Sequence, residues 1–111
     1  MKEIRKVNIL GREYSLSESN AHEDSKLVGN DGYCDCMAGI IVTVDDLNND
    51  PDLFASADQK GCFNYVFRHE IIHAYFGESG LLDYSNDEKL VDWIAIQFPK
   101  MLKTFRELNV I

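Results

Sequence analysis

Three observations predict an α+β fold in one small domain. The first half of the chain breaks into short strand-length apolar segments, the second half carries two long stretches with helical periodicity, and the whole is 111 residues long. A chain of that length fits a single core, and 45% hydrophobic content lies in the globular range. The expected arrangement is a short antiparallel β-sheet from the N-terminal half packed on two helices from the C-terminal half. Ile4 to Leu10, a turn at Gly11-Arg12-Glu13 and Tyr14 to Leu16 read as a hairpin whose second strand is short and polar. Residues 17 to 32 are rich in Ser, Asn, Asp, Glu and Gly and read as a loop. Tyr33 to Met37 and Ile40 to Val44 pair across Ala38-Gly39 as a second hairpin, and the latter is the stronger strand. Asn48-Asn49-Asp50-Pro51 is a turn.

The helices follow. Ser56-Ala57-Asp58-Gln59 reads as the cap of a helix running to about Phe76, with Gly77 and Gly80 ending it. Phe63, Val66, Phe67, Ile71, Ile72, Ala74, Tyr75 and Phe76 make it apolar over much of its girth, as suits a central buried helix. A last helix carries the stripe Val91, Ile94, Phe98, Met101, Leu102 and Phe105, and Pro99 should kink or divide it.

The central helix holds His69-Glu70-Ile71-Ile72-His73. At 100° per residue the two imidazoles share nearly one face, so their rings can converge on one tetrahedral metal at roughly 2.0–2.1 Å. Glu70 sits about 60° around the axis from His73, beside the metal rather than on it. A general base belongs there, because a metal acidifies water and a neighbouring carboxylate takes the proton as it attacks a carbonyl. Average residue usage makes a chance match in so short a chain a matter of a few in a thousand. Two surface histidines and a solvated glutamate are the plain alternative.

A catalytic zinc needs a third protein ligand and an open position. The offsets that would extend the motif with Gly and His hold Phe76 and Ser79, no histidine follows His73, and His22 lies far upstream in a polar loop. The third ligand is therefore expected to be a carboxylate from Glu78, Asp83, Asp87 or Glu88. Glu78 leaves little chain to fold back, and Glu88 is better placed. Glu88 and Asp92 lie one turn apart on the flank of the last helix, where Glu88 can reach the metal and Asp92 can accept a histidine ring N–H. Ser85-Asn86-Asp87-Glu88 also reads as a capping box with Ser85 at the N-cap, and the two roles of Glu88 are compatible.

His69-Glu70-x-x-His73 followed by Glu88-x-x-x-Asp92 resembles the gluzincin pattern of zinc peptidases. In that pattern a downstream glutamate helix supplies the third ligand and the Asp one turn on supports a histidine. The chain is similar to minimal gluzincins and to small phage and mobile-element proteins with an Arg-His-Glu-Ile-Ile-His core, and more loosely to ImmA/IrrE-like peptidases. The resemblance covers residues 63 to 98 and implies a zincin-like domain that hydrolyses peptide bonds with Zn2+ on His69, His73 and Glu88, Glu70 as base and Asp92 in support. Imidazole and carboxylate suit zinc, while iron, nickel and cobalt accept the same donors. The resemblance also implies an edge strand that binds extended peptide, for which Ile40 to Val44 is the candidate; the same run reads equally as the buried centre of a small sheet.

The formal net charge of −8 argues against nucleic acid or an anionic membrane as partner, and leaves a peptide or protein substrate. Lys100, Lys103 and Arg106 gather on the outer face of the last helix, as a solvated face does. Met1 to Lys6 leads into a strand pattern rather than a signal peptide, and no segment reaches the roughly 18 apolar residues of a membrane span. A cytoplasmic location is expected, that of the host for a phage protein. Three cysteines, an odd set, suit a reducing compartment: Cys34 and Cys36 share a strand face, Cys62 lies near the start of the central helix, and all three read as reduced, partly buried thiols. Two rival functions are a metal-binding module without catalysis and an acidic phage or mobile-element interaction protein.

Overall fold

The computed structural model describes residues 1–46 and 56–111, so the turn expected at Asn48-Asn49-Asp50-Pro51 lies outside the described residues. The architecture is α+β. Four strands, β1 (Lys2–Ile9), β2 (Arg12–Ser19), β3 (Gly32–Asp35) and β4 (Ile40–Val44), precede helices α1 (Gln59–Glu78), α2 (Leu82–Ser85) and α3 (Glu88–Glu107). The sheet order is β1-β2-β4-β3. The hairpins β1-β2 and β3-β4 are antiparallel, and they join through a parallel pairing of β2 with β4, so the sheet is mixed rather than antiparallel. No helix among the described residues is long and apolar enough to cross a membrane.

The first hairpin turns on Leu10 and Gly11, both at positive φ, with Asn8 Oδ1 accepting from the Gly11 amide at 2.9 Å. The turn is two residues long, so β2 begins at Arg12 and runs to Ser19, well beyond the short strand expected at Tyr14 to Leu16. Ser17 and Ser19 look like loop residues in isolation, yet both are buried because β2 is a central strand with neighbours on both sides. The expected loop keeps only a 3-10 turn at Ser25–Leu27, capped by Asp24, whose Leu27 is fully buried.

β4 is the buried centre, the second of the two readings its sequence allows, and not an edge. Ile41, Val42, Thr43 and Val44 are all 0–1% exposed. The pleat sends Ile41 towards Ile9, Tyr14 and Ala74, while Val42 and Val44 pack with Leu27. β3, shorter than predicted because the chain leaves the sheet after Asp35, takes the outer position beside α1.

Asp58 caps α1 by accepting from the Gly61 amide at 2.8 Å, as the sequence predicts. Gly77 does not end the helix. It lies inside α1 because a Cβ there would stand 2.4 Å from Cys36 Sγ, so glycine permits the helix to approach the strand turn. The end comes two residues later in a Schellman motif: Gly80 has φ +74°, its amide donates to Gly77, and the Leu81 amide donates to Phe76. Buried Val66, Glu70 and Ala74 mark the sheet-facing stripe of α1. Tyr75 is half exposed, so burial covers less of the girth than expected.

α3 runs unbroken through Pro99. A proline in a helix leaves the carbonyl four residues back without its amide. Here that carbonyl belongs to buried Ala95, and it accepts from Arg68 Nε of α1 at 2.8 Å. The replacement bond explains why the expected division does not occur.

Candidate metal centre

The helical spacing of His69 and His73 does bring their rings together, with Nε2 to Nε2 at 3.1 Å. Glu88, the first residue of α3, reaches across with both oxygens, 3.0 Å from His69 Nε2 and 3.1 Å from His73 Nε2. Donor atoms on a tetrahedral ion with bonds of about 2.0–2.1 Å stand about 3.3 Å apart. The two nitrogens stand close to the spacing of two corners of such a site, and each has one Glu88 oxygen at a similar distance. Glu88 remains largely solvent-exposed, which leaves the far side of the centre open.

Each histidine is also held from behind. Asp92 Oδ1 lies 2.7 Å from His69 Nδ1, a close contact that is not aligned as a hydrogen bond. Tyr65, one turn before His69, donates to the same carboxylate oxygen at 2.6 Å. Behind His73, Ser85 Oγ stands 3.3 Å from Nδ1 and donates to the His73 carbonyl at 3.3 Å, which leaves the hydroxyl oxygen to accept from the ring. With a proton on each Nδ1, both Nε2 lone pairs would face the shared centre. Burial, then the neighbouring His69, holds His73 below the usual imidazole range against the opposing pull of Glu88, which favours the neutral ring that binds metal.

Glu70 is buried in the sheet-facing stripe, and its Oε1 lies 4.0 Å from both Nε2 atoms. It belongs to the same cluster, since His69, Glu70 and His73 present donor atoms within 4.8 Å of one another. At 4.0 Å it stands beyond the spacing of a shared tetrahedron. Burial first, then the charges of Glu88 and Asp92, push its carboxyl up to about 8. A cation between the rings opposes the second cause directly. Gly32 of β3 fits against this residue, because a Cβ there would meet Val42 O at 2.9 Å and Glu70 Cγ at 3.3 Å.

The other candidate ligands are engaged elsewhere. Glu78 accepts from the buried Tyr14 hydroxyl at 2.5 Å and pairs with Arg12 at 3.4 Å. Asp83 is exposed on α2. Asp87 is the N-cap of α3, accepting from the Leu90 amide at 3.1 Å. The expected capping box does not form: Ser85 closes α2 and contacts His73, while Asp87 is the N-cap, and Leu90 three residues on has no side-chain acceptor to return the bond. His22 is exposed in the turn begun by Asn20, whose side chain accepts from the His22 amide. Cys34, Cys36 and Cys62 are free thiols, with Sγ of Cys34 and Cys36 3.7 Å apart.

Two cavities, both lined in part by Glu70 and Glu88, open beside the centre. One of about 240 Å³ is lined by Asn30, Asp31, Gly32, Tyr65, Val66 and His69. The other, about 350 Å³, is lined by Tyr33, Cys34, Cys36, His73, Ser85 and Asn86, with Asn30 and Gly32 shared. The outer strand β3 flanks both. Sequence reasoning missed Ser85 as a partner of His73 and missed Tyr65, although its four-residue spacing from His69 was a usable signal. No protein-family model, curated protein or solved structure matches the chain. The chemistry of the centre therefore rests on its own atoms.

Proposed function

We propose that the chain is a small gluzincin-like metallopeptidase that hydrolyses peptide bonds at a zinc centre held by His69, His73 and Glu88. One observation carries this reading: two imidazole nitrogens and a carboxylate meet at 3.0–3.1 Å, with a second, buried acid 4.0 Å away and two cavities beside them. Bound zinc would supply Lewis acidity towards a carbonyl oxygen and a water.

The protein's own groups do the rest. Glu70 Oε1 takes the proton of the attacking water and hands it to the departing amine nitrogen. Its burial keeps competing solvent from that proton and raises its basicity. Asp92, steadied by Tyr65, and Ser85 fix the orientation of the two rings. The outer edge of β3, which lines both cavities, offers backbone groups to an extended substrate, so the peptide-binding edge is assigned to Gly32–Asp35 and not to Ile40–Val44.

Glu70→Gln tests the proposal. Zinc-loaded wild type should cleave members of a mixed peptide library, read by mass spectrometry, and lose that activity to a chelator. The variant should keep its zinc and cleave about 10²–10⁴-fold more slowly, the range for a lost acid–base group. Equal rates in the two proteins would exclude Glu70 as the base.

A further inference from the structure

α3 changes character halfway along. Its apolar stripe is fully buried against the rest of the molecule at Val91 and Ala95, and then continues on the same face through Phe98, Met101, Leu102 and Phe105 with little to cover it. Phe98 is 47% exposed and Met101 and Phe105 are each 37% exposed. Beside this bare ridge lies a largely apolar groove of about 600 Å³, walled by Arg68, Ile71, Ile72, Tyr75 and Phe76 of α1 and by Ile94 and Phe98 of α3. Phe98 belongs to both, so groove and ridge are one continuous surface.

We propose that this surface joins two copies of the chain, each laying the second half of its α3 into the groove of the other. A two-fold interface requires a patch that complements itself, and a ridge contiguous with a groove meets that requirement when each ridge fills the partner's groove. The area is sufficient. With large side chains offering about 150–250 Å² each, the exposed fractions leave on the order of 600 Å² of mostly apolar surface per copy, against about 800 Å² per partner, rim included, in a standard interface. Patches of that size mark interaction sites.

Lys100 and Lys103 lie on the outer face of α3, away from this stripe, so the ridge that enters the groove is apolar. The metal centre stays open in such a dimer, because Ile72 and Tyr75 lie about 100° and 160° around α1 from His73.

Light scattering coupled to gel filtration, at about 100 μM protein with and without chelator, tests this. Wild type should run at twice the monomer mass under both conditions, so the outcome does not depend on the metal reading. Phe105→Glu on the ridge and Tyr75→Glu in the groove should each raise the dimer dissociation constant at least tenfold with unchanged helical circular dichroism, while Trp93→Glu, on another face of α3, should not. Tyr75→Ser replaces Tyr75→Glu if the charge prevents folding. A monomeric wild type overturns the proposal. So does a dimer indifferent to either the ridge or the groove variant.

Discussion

Arg68 is expected to carry part of its stabilising effect only because residue 99 is proline. The Ala95 carbonyl, buried and without the amide that an ordinary residue 99 would supply, accepts from Arg68 Nε at 2.8 Å. Arg68→Met keeps an apolar stem in the groove but removes this charged donor, and an unsatisfied buried acceptor costs about 1–3 kcal/mol. Replacing Pro99 with alanine returns the missing amide, so Arg68→Met in a Pro99→Ala background should cost at least about 1 kcal/mol less. The double-mutant cycle is read by urea denaturation of the four proteins. In thermal melts a difference of 1 kcal/mol corresponds to about 4–8 °C for a domain near this size. A coupling energy within about 0.5 kcal/mol of zero, the scatter of independent sites, would refute the compensation.

Further expectations concern the supports of the centre and the packing around it. Asp92→Ala should weaken zinc binding about 10–100-fold, measured by competition with a chromophoric chelator, because His69 loses the group behind its Nδ1. Gly77→Ala should destabilise the fold by about 1–3 kcal/mol through its collision with Cys36 Sγ, and Cys36→Ala should restore much of that loss in denaturant melts. Burial, then the hydrogen bond to Glu78, raises the Tyr14 hydroxyl well above its ordinary 10.0. The unfolded chain releases this proton first, so stability is retained below pH 10 and falls as pH rises above it. Chemical denaturation from pH 8 to 11 should show the fall, and Tyr14→Phe should flatten it.

The parts of the molecule governed by local periodicity were legible in the sequence. His69, Glu70 and His73 converge because helix geometry alone fixes a four-residue spacing, while Glu88 reaches them from a helix whose cap lies two residues later than the one expected at Ser85. β4 was visible as a β-branched run whose one polar side chain is Thr43. What escaped depends on partners distant in the chain. β2 looked short because Ser15, Ser17 and Ser19 have turn-forming side chains, and only pairing with β1 and β4 makes them strand residues. Whether β4 or β3 forms the edge is decided by strand order, to which side-chain alternation is blind. Ser85 and Asp87 are both good caps, and the choice between them turns on the contact of Ser85 with His73. Pro99 was read as a kink or a division because its compensating donor sits on another helix.

Zinc titration of the metal-free protein at neutral pH, followed by calorimetry, tests the central claim most directly. The geometry predicts one ion per chain, with binding lost in His73→Ala and severely weakened in Glu88→Ala. No uptake by the wild-type protein, or uptake unchanged when both residues are replaced, would contradict it.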